Sequence, residues 1–110
     1  LPPPPGARRR DAYWRLAEGC REEIALYELS GETGAAAEHY LAAFAGAGLS
    51  LLSDRADGTG ARRLCSVRGP VKAVVTLRKA AAAEKMIRIT VIVTAPAGEA
   101  PRPREGEADP

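Results

Sequence analysis

Val71-Lys72-Ala73-Val74-Val75-Thr76-Leu77-Arg78-Lys79, read with Ile87-Arg88-Ile89-Thr90-Val91-Ile92-Val93-Thr94, decides the fold. In the first stretch Val71, Ala73, Val75 and Leu77 share one side, and Lys72, Val74, Thr76 and Arg78 share the other. In the second, Ile87, Ile89, Val91 and Val93 oppose Arg88, Thr90, Ile92 and Thr94. Alternation with a period of two, rich in β-branched residues, marks half-buried strands. The link Ala80-Ala81-Ala82-Ala83-Glu84 reads as a loose loop with room for one helical turn.

Working backwards, Arg62 to Val67 is a shorter strand, ended by Arg68-Gly69-Pro70, where Gly-Pro is strong turn punctuation. Leu49 to Ser53 is a further strand, closed by the glycine-containing loop Asp54 to Gly60. Ahead of it, Gly34 to Ala47 reads as the helix. Ala37, Tyr40, Leu41, Phe44 and Gly48 form one apolar stripe. Thr33 or Ser30 is the expected cap, and Gly46 and Gly48 suit the exit. Residues 11–29 are ambiguous. A helix through Tyr13, Leu16, Cys20 and Ile24 would carry Gly19 inside it, at a cost of about 1 kcal/mol. A strand at Glu22 to Leu29 is preferred. The expected architecture is therefore α+β, a two-layer sandwich of one amphipathic helix on a mostly antiparallel sheet, in the order β-α-β-β-β-β.

The folded unit is expected to span residues 11–94 of the 110-residue chain. Residues 1–10 hold four prolines and three arginines, and 95–110 lack Val, Ile, Leu and aromatics. Both ends are therefore expected to be disordered tails. No run approaches the roughly 18 apolar residues of a membrane span. The chain begins at Leu1 without an initiator Met, which suggests processing or excision, with any signal or lipid anchor lying upstream.

The strand Leu26-Tyr27-Glu28-Leu29-Ser30-Gly31, the helix segment His39-Tyr40-Leu41 with Phe44-Ala45-Gly46-Ala47-Gly48-Leu49, and the meander after it resemble small uncharacterised bacterial envelope domains. In those domains a "vYe" strand leads into an "fYxxxLxxxGW" helix and then hairpins, often after a Pro-Gly-Ala stretch like Pro5-Gly6-Ala7. Leu49 stands where the pattern has Trp. The likeness covers residues 5–94. It implies the same fold and a periplasmic or extracellular setting, as a secreted protein or lipoprotein, and it brings no catalytic residues.

Chemistry is sparse. The single histidine, His39, has no nucleophile or orienting partner among its helical neighbours, and Glu38-His39 lacks the second histidine of an HExxH site. Glu22-Glu23 and Asp54/Asp57 read as solvated charges. Asp54 to Gly60 lacks the third acidic ligand and the closing Glu of a calcium loop. No catalytic, cofactor or metal residue is assigned, and no enzyme is expected. Cys20 and Cys65 could close one disulfide, worth about 3 to 4 kcal/mol in the chain-entropy model, against the alternative of two separate thiols.

Charge is the informative feature. Residues 11–60 carry three basic and nine acidic side chains, whereas 61–94 carry eight basic and one acidic. Lys72, Arg78 and Arg88, joined by Arg62 if it shares their face, would form a basic stripe suited to an anionic partner. Aromatics for base stacking are missing from 61–94, which disfavours nucleic acid. Neutralisation of the stripe by Glu22, Glu23 and Glu28 across the sheet is the expected outcome. The function expected is a non-enzymatic envelope module that binds or scaffolds, with an envelope protein or anionic surface as partner. The competing reading is a cytosolic regulatory or nucleic-acid-binding domain that uses strands 61–94.

Overall fold

A computed structural model describes residues 1–57, 60–80 and 85–97. It contains β1 (Arg8–Ala17), β2 (Cys20–Ser30), α1 (Thr33–Gly46), β3 (Ser50–Ala56), β4 (Arg62–Arg68), β5 (Val71–Lys79) and β6 (Met86–Pro96). The strands form one sheet in the order β1-β2-β6-β5-β4-β3, antiparallel throughout. The helix packs on one face over β3, β4 and β5, which is the α+β architecture read from the sequence.

The strand alternation sets this layering. Ala73, Val75 and Leu77 of β5 and Ile87, Ile89 and Val91 of β6 are buried beneath the helix together with Leu64 of β4. Ala36, Ala37, Tyr40 and Phe44 descend onto them from α1, and Leu41 packs at their margin. Tyr40 is fully buried, and its hydroxyl has no hydrogen-bond partner among the described residues. Burial raises its phenol well above the ordinary value, so it stays neutral. Glu32 is the N-cap residue of α1, and no side chain caps the first turn, so neither Thr33 nor Ser30 serves as the cap. At the other end Gly48 adopts φ +74°, and the Arg68 guanidinium donates to the Ala47 carbonyl at 3.0 Å. A cation there also complements the negative helix end.

The N-terminal expectation is corrected. Residues 8–10 belong to β1, a strand absent from the sequence reading, and residues 1–7 dock instead of trailing. Pro4-Pro5-Gly6-Ala7 is a turn closed by Ala7 N–H donating to the Pro4 carbonyl at 3.1 Å, with Gly6 at φ +83°. Proline then glycine in the central positions suits a type II turn. The turn sends Leu1 back against the core, and His39 Nε2 donates to the Pro2 carbonyl at 2.9 Å. Gly19 excludes the helical alternative for 11–29, because Glu18 and Gly19 both have positive φ, at 51° and 78°. Such a pair makes the tight reversal of a two-residue hairpin. At the other end Ala95 and Pro96 extend β6, and Ala97 bonds Gly19. The expected tail over 98–110, the 81–84 link and residues 58 and 59 lie outside the described residues.

Both cysteines are free, which is the alternative of two separate thiols. Cys20 lies on β2 and Cys65 on β4, with β6 and β5 between them. Three interstrand spacings amount to about 14 Å, twice the Cα separation a disulfide tolerates.

Candidate anionic-partner surface

The face opposite α1 has no covering layer among the described residues. Cross-strand registers lay it out in rows. A middle row runs Tyr13, Ile24, Ile92, Val74, Cys65, Ser53 from β1 to β3. The next runs Asp11, Leu26, Thr90, Thr76, Arg63, Arg55 in the same order. Beyond it Arg8, Glu28, Arg88 and Arg78 are successive partners. On the opposite flank Arg15, Glu22, Thr94, Lys72 and Val67 line up. The face is thus an apolar band edged by threonines, with a rim that is cationic over β3 to β6 and carries Asp11, Glu22 and Glu28 on β1 and β2.

Three of the four residues expected in a basic stripe share this face: Lys72, Arg78 and Arg88, all exposed. Arg62 does not. It pairs in register with Leu77, on the helix side, and its guanidinium grips Asp54 through bonds of 2.8 and 2.6 Å. That pair holds the Asp54 carboxyl below its usual value. The correction has a simple cause. Arg62 and Arg63 are adjacent, so they point to opposite faces, and Leu64 fixes the parity by occupying the core. Arg63 is therefore the outward residue, and it stands directly opposite Arg55 of β3.

The expected neutralisation is corrected too. Glu22 and Glu28 do share the face, but β1 claims them. Arg15 Nε bonds Glu22 at 2.7 Å, and Arg8 and Arg10 both reach Glu28, at 3.3 and 3.1 Å. Glu23 points to the helix side, where it pairs with Arg21 at 3.2 Å. Arg55, Arg63, Lys72, Arg78 and Arg88 form no ion pair among the described residues. Two cation pairs are direct cross-strand partners, Arg55 with Arg63 and Arg78 with Arg88. Like charges in that position destabilise a sheet.

Part of the face is concave. Ser53, Arg55, Arg63, Cys65 and Lys72 line a depression of about 280 Å³. On the helix side Trp14 covers the sheet, and Arg21 stacks on its ring at 4.5 Å. Among the described residues no group of three or more His, Cys, Asp or Glu side chains could hold a metal ion. His39 faces the docked N-terminal arm and meets Tyr40 edge-on at 5.2 Å. No described helix is long and apolar enough to cross a membrane.

No family model, curated protein or solved structure matches this chain.

Proposed function

We propose that this chain is a non-enzymatic binding module whose working surface is the open sheet face, and that its partner is an acidic protein. The observation that carries this reading is that two arginine pairs are opposed in register across neighbouring strands, Arg55 with Arg63 and Arg78 with Arg88. Each costs the free protein stability. Glu28, the carboxylate that stands opposite Arg88, is already shared between Arg8 and Arg10 of β1, and the lining of the depression around Arg55 and Arg63 includes no carboxylate. Such a cost is compensated when an anion arrives.

A protein partner fits better than a nucleic acid. The surface joins the half-buried side chains of Ile92 and Val74 to a polar, arginine-rich rim, the composition of a protein interface. Its one aromatic residue, Tyr13, sits on the edge strand, whereas a single-strand platform needs several stacking rings. An envelope setting, drawn from the resemblance alone, remains part of the proposal, and fractionation of cells expressing the native gene tests it.

The binding test is titration with poly-L-glutamate at low and at physiological ionic strength. The expected result is salt-sensitive binding that is lost in the Lys72→Ser, Arg78→Ser, Arg88→Ser triple variant. Absence of binding at low salt overturns the reading. Tight binding of a single-stranded oligonucleotide with none of poly-L-glutamate favours the nucleic-acid alternative.

A further inference from the structure

We infer that the depression formed by Ser53, Arg55, Arg63, Cys65 and Lys72 is a subsite for a phosphate monoester carried by a side chain of the partner protein. The inference rests on the open face being the partner surface, and adds the chemical group it selects. Three cations converge on one concavity whose lining includes no carboxylate. Asp54, the nearest acid in sequence, is turned to the other face and held by Arg62. Ser53 supplies a hydroxyl at the rim, on the row next to Arg55.

Charge decides which anion fits. A carboxylate or a phosphodiester brings one negative charge, which leaves this cluster under-compensated. A phosphate monoester brings about −1.5 to −2 charges near neutral pH and three acceptor oxygens. Two guanidinium forks can each meet two oxygens, and an ammonium can serve as a point charge beside them. Phosphodiesters, and with them nucleic acids and most phospholipid headgroups, match the site less well. The volume of about 280 Å³ admits the group with the short stem of a phosphoserine.

The test uses N-acetyl-O-phosphoserine amide and dimethyl phosphate as probes of the full chain, followed by backbone amide shifts. The monoester is expected to move Ser53, Arg55, Arg63 and Lys72 and to bind at least about tenfold more tightly than the diester. Its affinity should rise with pH as the phosphate loses its second proton, near pH 6. Arg63→Gln should remove that preference. Arg88→Gln, on the same face but outside the depression, should keep it. Circular dichroism checks that both variants fold.

A phosphoserine peptide of acidic composition should bind more tightly than its unphosphorylated form. Equal affinity of the two peptides, or of the two small probes, overturns this inference and leaves the acidic-partner surface standing. Failure of both peptides and of poly-L-glutamate overturns the surface itself. Binding to phosphatidic-acid vesicles without binding to the phosphopeptide would overturn the assignment to a partner protein.

Discussion

Arg62 and Arg63 are neighbours in sequence, and replacing each by Gln should shift stability in opposite directions. Arg63 stands directly across from Arg55 on an exposed face. Two unit charges about 6 Å apart in water repel by roughly 0.7 kcal/mol, within the 0.2 to 1 kcal/mol range of cross-strand pairs. Arg63→Gln keeps most of the side chain's length and removes the repulsion. It should stabilise the free protein by about 0.5 kcal/mol at low salt, or about 2 to 4 °C in melting temperature for a domain of this size. At 1 M salt the screening length shrinks to about 3 Å, and the gain should vanish. Arg62→Gln breaks the two-bonded pair with Asp54 and should cost about 0.5 to 1 kcal/mol. Urea unfolding of both variants at the two salt concentrations measures this. An Arg63→Gln variant that is neutral or destabilised at low salt would refute the view that the open face carries uncompensated charge.

Three further outcomes follow from the packing and pairing. The contribution of the Arg62–Asp54 pair should depend on pH. A carboxyl with a lowered folded value contributes stability above its unfolded value, about 3.9, and loses it as pH falls through the folded one. The gap between wild type and Arg62→Gln should therefore be constant above about pH 5 and narrow progressively as pH falls below the unfolded value and through the lower folded one, as read by urea titrations into acid; a gap that widens in acid would contradict the assignment. Phe44→Ala should cost about 3 to 5 kcal/mol, because Phe44 is 2 % exposed in the core beneath α1, and a loss under 1 kcal/mol would mean that the helix packs differently. Deleting residues 1–7 should cost about 1 to 2 kcal/mol, from the Leu1 packing and the His39–Pro2 hydrogen bond; an unchanged thermal melt would show that the arm does not dock.

The legible elements were those whose burial leaves an alternating pattern. β5 matches its expected bounds residue for residue, and β6 and α1 differ from theirs by one or two positions at each end, because buried apolar side chains recur there at the period of the element. β1 left no such trace. It is an edge strand, and only Trp14 among its ten residues is even partly buried, so Arg8–Ala17 shows no apolar alternation. Its hairpin is also cryptic, since Glu18-Gly19 takes the place of the usual Asn-Gly or Asp-Gly. Missing β1 had a direct consequence for the site. Pairing Glu22 and Glu28 with Arg78 and Arg88 follows from the sequence only when Arg8, Arg10 and Arg15 are placed outside the sheet, whereas β1 brings all three to these carboxylates. The error at Arg62 has another origin. Leu64 and Ser66 are both buried, and so is Cys65 between them, so composition alone does not settle which parity of β4 faces the helix. Register with Val75 settles it.

The most direct test of the open-face surface is a backbone amide shift map recorded while poly-L-glutamate is added at low ionic strength. The expected footprint is Arg55, Arg63, Lys72, Thr76, Arg78, Arg88 and Thr90, which share one face of β3 to β6, and it should fade as salt is raised. A footprint on α1, on Arg62 and Arg68, or along the docked residues 1–7 would place binding on the opposite side of the sheet and contradict it.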